Sequence, residues 1–253
     1  MFAKPSRSAA PGAARPDERN LVRQLPLGVQ LGVSLRFETF HAGGNAEAVA
    51  ALKRLASGVS RVPLWLFGPA GSGKTHLLQA ACALAGSEGR TAAYLPLVAS
   101  RMDGPAILDG FERLELVALD DLDEIAGDAD WERALFTLYN GLAEHGGRLA
   151  SAAPRAPAAL GIRLPDLASR LAASEAHRLQ PLAEADQAEA LRRRAQHRGL
   201  ELPEETLGFL TRRAPRDFAT LCAMLDDLDT ESLAAQRRLT VPFVRDWLAR
   251  GGA

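Results

Sequence analysis

Cysteine is scarce in this chain: two among 253 residues, Cys82 and Cys222. Both stand in apolar, Ala/Leu-rich stretches of helical pattern, so buried free thiols in a reducing compartment are expected, not a disulfide framework or a zinc site. No uninterrupted apolar run reaches transmembrane length. The N-terminal "KPSRSAAPGAARP" has no apolar centre and is no secretion signal. These absences lead us to expect a soluble, cytoplasmic protein with no membrane partner. Net charge is small as well. The formal total of −1 excludes a whole-surface electrostatic grip on nucleic acid and leaves only a local basic patch. No internal repeat is visible.

Apolar residues are plentiful, at 47%, enough for one sizeable core or two modest ones. From Thr39 onward helices and strands alternate. "NAEAVAALKRLASG" (45–58) reads as a helix, with Asn45 as N-cap and Gly58 as stop. "VPLWLF" (62–67) is a buried strand and "THLLQAACALAG" (75–86) a helix. "TAAYLPL" (91–97), "LELVALDD" (114–121) and "RLASAA" (148–153) are further strands, with the helix "WERALFTLYNGLAEHGG" (131–147) before the last. Strands alternating with helices predict a parallel sheet covered on both faces. After His177 the one convincing strand lies in "RLQPL"; about four helices follow, broken at Gly199, Pro203, Pro215 and Pro242. The expected class is α/β: an αβα core with a five-stranded parallel sheet, plus a small all-helical lid. The expected boundaries are a tail over 1–33, the core over 34–176 and the lid over 177–253.

"GPAGSGKT" (68–75) matches the phosphate-binding loop G-x-x-x-x-G-K-[ST], with a strand before it and a helix after it. Gly68, Pro69, Ala70, Gly71, Ser72 and Gly73 form the loop, whose glycines let backbone N–H groups turn toward phosphate oxygens. Lys74 is expected to reach the β and γ phosphates, and the Thr75 hydroxyl to ligate Mg²⁺. ADP or ATP with Mg²⁺ are the expected ligands. Asp120, at the end of "LVALDD", would help hold the metal. Asp121 stands where many ATPases carry a glutamate that orients water, and it is one methylene shorter; its alternative role is to cap the following turn. On the next strand "RLASAAPRAP" offers Ser151 and then Ala152 and Ala153, so a register with Ala152 at the sensor position lacks a polar group there. Tight nucleotide binding and weak intrinsic hydrolysis are expected.

Two arginines complete the set. Arg170, in "LPDLASRL", stands where oligomeric ATPases carry an arginine that reaches a neighbour's γ-phosphate; the alternative is a surface pair with Asp166, four residues back. Arg216, in "RRAPRDFATL", stands where a second sensor would fold back onto the phosphates, or is simply solvated. Arg192 to Arg194 and Arg237–Arg238 read as solvated helix faces.

In chain order, the phosphate loop, "LDD", "PDLASRL", "RLQPL" and "PRDF" resemble an AAA+ ATPase of the replication-initiator clade. "LDDLDEIAGDADWERALFTLYNGL", "LPDLASRL", "LQPL" and "RRLTVPFVRDWL" narrow the resemblance to the Hda family, regulatory inactivators of the bacterial initiator DnaA. The resemblance runs from about Gln24 to Leu248. It implies a partner, DnaA, whose ATP hydrolysis this chain would stimulate with Arg170 in trans, and face-to-back contacts that a homo-oligomer would share. DnaA continues into a helix-turn-helix domain; this sequence ends at Ala253, so direct reading of DNA sequence is not expected.

The resemblance also bears on the N-terminus. The first twenty residues, rich in Ala, Pro, Arg and Ser, are expected to be disordered. They are followed by the apolar "RQLPLGVQL" (23–31). The family carries here a motif similar to Q-L-x-L-P-L that binds the DNA polymerase sliding clamp (its β subunit). Gln24, Leu25 and Leu27 match a shorter form, Q-L-P-L, with Gly28 and Val29 following instead of a second apolar pair. The alternative is that "LPLGVQL" packs back on its own core. A second function, a self-contained ATPase of the helicase-loader or remodelling type, would show appreciable ATPase and no clamp binding.

Overall fold

The structure is a computed structural model that describes residues 35–213 and 218–251. Gln24, Leu25, Leu27 and Arg216 lie outside the described residues.

Five parallel strands form one sheet, β1 (Leu64–Phe67), β2 (Ala92–Pro96), β3 (Leu116–Asp120), β4 (Arg148–Ala153) and β5 (Glu175–Arg178), in the order β2-β3-β4-β1-β5. β3 and β4 are buried along their whole length, and β1 almost so, as expected of strands covered on both faces. On one face α1 (Ala46–Ala56) and α2 (Lys74–Ser87) pack Leu52, Leu55, Leu77 and Leu78 onto Leu64, Leu66, Ala118 and Ala152. On the other, α4 (Ala129–His145) and α5 (Pro165–Ala172) bring Trp131, Leu135, Leu138 and Leu167 against Trp65, Val117, Leu119 and Leu149. Trp65 is fully buried, and its indole Nε1–H donates to the Arg155 carbonyl at 3.0 Å, which satisfies the ring's one polar group. Between β2 and β3 the chain runs through α3 (Leu97–Ser100) and three 3-10 turns.

The strand expected in "RLQPL" instead occupies Glu175–Arg178, just ahead of it. Its sequence, "EAHR", has no apolar run. It is an edge strand whose residues alternate between half-buried and exposed, so backbone pairing with β1 (Leu64 opposite Glu175, Phe67 opposite Arg178) defines it and side chains do not. Asn45 precedes α1 as expected, but its side chain does not cap the helix. It accepts from the Gln180 N–H at 2.8 Å and donates to the Gln180 carbonyl at 2.9 Å, and so fastens the start of α1 to the segment leaving β5. The Asn45 side chain, itself buried, thereby satisfies its own oxygen and nitrogen together, which outweighs a helix cap that water can replace.

Four helices follow: α6 (Glu184–His197), α7 (Glu204–Arg213), α8 (Phe218–Ala235) and α9 (Val241–Ala249). They enclose their own core, in which Leu191, Leu207, Leu210, Leu225, Leu228, Phe243 and Trp247 meet. The Thr240 hydroxyl caps α9, accepting from Phe243 N–H. Arg192 and Arg193 pair at the surface with Glu189 and Glu204, in line with a solvated face. Arg194 departs from that expectation. It is 9% exposed and is gripped by Asp226, with Nη2 at 2.6 Å and Nε at 3.1 Å. A helical turn returns to the same face every three to four residues, so a run of three arginines must spread over more than one face. Among the described residues no helix is long and apolar enough to cross a membrane.

Candidate nucleotide site

β1 ends at Phe67, residues 68–73 turn, and α2 begins at Lys74. The glycines are needed for close approach. A Cβ on Gly68 would fall 2.5 Å from the Leu179 carbonyl oxygen, and one on Gly73, whose φ is +93°, would fall 2.6 Å from Cε2 of Phe40. The loop is thus walled by the segment after β5 on one side and by an aromatic ring on the other. Lys74 Nζ donates to the carbonyls of Gly68 (2.9 Å) and Pro69 (3.0 Å), so its ammonium lies across the loop where anionic oxygens would be met. The Ser72 hydroxyl, 4% exposed, has no partner among the described residues.

Asp120 closes the other side. It is 1% exposed, and its Oδ2 accepts from the Thr75 hydroxyl at 2.6 Å and the Tyr94 hydroxyl at 3.0 Å, while Oδ1 accepts from Asp121 N–H at 3.1 Å. Thr75 and Asp120 form a small set of hard oxygen donors at a loop suited to phosphates, which fits Mg²⁺ shared with a nucleotide. Among the described residues no cluster of three His, Cys, Asp or Glu forms an all-protein metal cage.

Asp121 adopts the left-handed conformation, φ 56°, ψ 47°, and makes no side-chain cap to the 3-10 turn that follows. Burial first, then the charges of Asp120 and Asp123, push its carboxyl above the usual carboxylate range, while Lys74 opposes them. Ser151 pairs in register with Leu119 and points to the α4 face, buried with no partner for its hydroxyl among the described residues. Ala152 shares the α2 face with Asp120, so the residue beside the acid on that face is apolar.

A cavity of about 370 Å³ opens from the loop. Three separate stretches build it: Leu35, Thr39, Phe40, His41 and Asn45; residues 71–76; and the later Gln180, Leu182, Ala190, Arg194, Phe218, Cys222, Ala223 and Asp226. It is apolar in most of its lining with polar groups at the loop end, as a site for a flat base and a charged tail requires. Arg170 does not line it. Instead of pairing with Asp166, its guanidinium lies 4.9 Å from the Phe136 ring centre and 5.3 Å from that of Tyr139, two residues of α4. The loop into α5 is fixed by Glu132, 1% exposed, which accepts from the N–H groups of Gly127 (2.7 Å), Arg163 (3.0 Å) and Leu164 (2.7 Å).

His76, next to Thr75, ties the first stretch to α2. Its Nε2 lies 2.9 Å from the Arg36 carbonyl, which can only accept, so Nε2 carries the proton. Its ring meets Phe40 edge to face at 5.2 Å. Burial above all, with a smaller contribution from Arg194, lowers its pKa from 6.5 to about 4, against the Arg36 bond, which raises it. Between those two values the unfolded chain binds a proton that the folded chain refuses. Stability is therefore held above pH 6.5 and lost as pH falls toward 4. His76→Gln, which keeps a donor for Arg36, is expected to flatten the stability curve in that window by up to about 1.4 kcal/mol per pH unit, read by urea unfolding at stepped pH.

Residues the sequence did not single out are Tyr94, Glu132, Arg194 and Asp226. A tyrosine in a strand and a glutamate in a helix give no local signal. For Arg194 a signal existed: Ala188, Leu191 and Ala195 mark the inner face of α6, and Arg194 stands between them.

Residues 31–102 match the bacterial DnaA ATPase domain, and residues 184–248 match the Hda lid domain. Among solved structures, domain III of the Thermotoga maritima replication initiation protein DnaA is 23% identical, over 85% of this chain and 96% of that one, with a TM-score of 0.71. AMPPCP-bound DnaA from Aquifex aeolicus is 22% identical, over 79% of this chain and 67% of that one, at 0.62. The Thermotoga maritima RuvB Holliday junction branch migration motor is 17% identical, over 84% and 72%, at 0.57. At these identities the structural likenesses establish an AAA+ fold of DnaA type and nothing finer. One chain thus joins a stretch that matches the bacterial DnaA ATPase domain to a lid that matches the Hda lid domain, a combination consistent with the Hda family.

Proposed function

We propose that this protein is a negative regulator of replication initiation. It binds an adenine nucleotide with Mg²⁺, docks on the sliding clamp through Gln24, Leu25 and Leu27, and stimulates hydrolysis of the ATP held by DnaA. Its own hydrolysis is weak and Arg170 acts on the partner's nucleotide. The observation that carries this reading is the pairing of an Hda lid with a DnaA-type core. The placing of Arg170 supports it: the side chain is offered from α5 on an aromatic ledge, away from the chain's own cavity. Ala152 beside Asp120, and an Asp121 short of reach, support weak turnover. Arg216 would complete the site from the lid. The division of labour fits a tail over 1–33, with the boundary expected at 176/177 moved past β5 (Glu175–Arg178), which belongs to the core sheet.

The test is a mixture of ATP-loaded DnaA, clamp on DNA and this protein. Hydrolysis should accelerate, and omission of the clamp should remove most of the gain. Appreciable ATPase by this protein alone, with no clamp capture, would instead make it a self-contained remodelling ATPase.

Nucleotide binding is tested separately by Lys74→Ala. Its ammonium is the cation of the loop, and a charge-assisted hydrogen bond is worth about 1.5–3 kcal/mol, so ADP affinity should fall roughly 10- to 100-fold by calorimetry. Equal affinities would show that the loop does not hold the phosphates.

A further inference from the structure

One polar residue at the metal edge of the site has no part in the proposed mechanism. Tyr94 stands on β2, at the sheet edge beyond Asp120, and its ring packs against the α2 side of the core. Its hydroxyl lies 3.0 Å from Asp120 Oδ2, the same oxygen that Thr75 reaches at 2.6 Å. A carboxylate can only accept, so Tyr94 donates to Asp120. Two hydroxyls, one from α2 and one from β2, thus meet at one carboxylate oxygen.

We infer that Tyr94 is a positioning residue for the metal edge of the nucleotide site: its hydroxyl aims the Asp120 carboxylate that would hold Mg²⁺ with Thr75. This rests on the nucleotide-binding part of the proposed function. Thr75 and Asp120 would hold Mg²⁺ between them, the threonine oxygen by a lone pair while its proton stays pointed at Asp120. The orientation of the carboxylate would then decide whether it can serve Thr75 and the ion together. The Asp121 N–H fixes Oδ1. Of the three donors on the carboxylate, Tyr94 alone comes from β2, so it sets the rotation about the Asp120 side chain independently of the phosphate loop. Outer partners of this kind typically change metal affinity about 10- to 100-fold.

The experiment is calorimetric titration of ADP into the full chain at graded Mg²⁺ and in EDTA, for wild type and Tyr94→Phe. Phenylalanine keeps the ring and its packing. In EDTA, Tyr94→Phe should bind ADP within about twofold of wild type. The Mg²⁺ concentration that gives half of the metal-dependent gain in affinity should rise at least about tenfold. Equal losses with and without Mg²⁺, or no shift at all, overturn the inference and show that Tyr94 only packs. Wild-type affinity indifferent to Mg²⁺ overturns it as well, with nucleotide binding intact. If wild type binds no ADP under any condition, the nucleotide reading has failed, and this inference fails with it.

Discussion

Replacement of Arg170 by alanine is expected to abolish the stimulation of ATP hydrolysis on DnaA and leave the protein folded. The two effects differ greatly in size. Lost contact with the Phe136 and Tyr139 rings costs about 0.5–1 kcal/mol at a partly exposed position. A trans-acting arginine on a partner's γ-phosphate is worth roughly 10³–10⁵ in rate, which is some 4–7 kcal/mol of transition-state stabilisation. Melting temperature, ADP affinity and clamp capture should therefore stay close to wild type while single-turnover hydrolysis on DnaA collapses. Arg170→Lys should rescue little, because an ammonium cannot present the planar fork. Hydrolysis as fast with Arg170→Ala as with wild type would make Arg170 a surface residue, and the activating group would have to lie elsewhere.

The second large effect is expected at the N-terminus. Gln24→Ala with Leu25→Ala should abolish capture by immobilised clamp. Glutamine offers hydrogen bonds to a groove, and full burial of one leucine contributes about 1.5–3 kcal/mol. Loss of both takes a short-peptide contact that starts weak below detection. Melting of the core should not change, and a lowered melting temperature would favour packing of this segment on the core over docking. Stimulation of DnaA-bound hydrolysis should fall with clamp capture and be restored in part by raising the protein concentration. Arg170→Ala would not respond to concentration, so the two variants separate docking from chemistry. Wild-type clamp capture by the double variant would show that "QLPL" is not the docking motif.

What the sequence disclosed follows a pattern. The phosphate loop, the buried strands 64–67 and 148–153 and the acid ending β3 announce themselves because their chemistry is local: glycine spacing, an apolar run, a charge at its end. The four lid helices were legible from their breakers. β5 was placed a few residues late because "EAHR" is held by backbone pairing at an edge and has no apolar signature. Asn45 reads as a cap from its neighbours, and only the folded chain reveals Gln180 as its partner, 135 residues away. Glu132 looks like an ordinary helix-surface acid until the loops at 127 and 163–164 are brought to it. Tyr94 is of the same kind. Local pattern finds groups that act on their sequence neighbours and misses groups whose partners arrive by topology.

The cavity belongs to no single part of the chain. Phe40 and His41 come from ahead of α1, residues 71–76 from the loop, and Arg194, Cys222 and Asp226 from helices whose core is separate from that of the sheet. A ligand seated there touches both cores at once. By mass action it stabilises the joined state by about 2.7 kcal/mol at a hundredfold excess over its dissociation constant. Against a total stability of about 5–15 kcal/mol for a typical domain, that is a large share. Under the proposed function, the nucleotide-loaded protein should therefore melt later and resist protease longer than the stripped one.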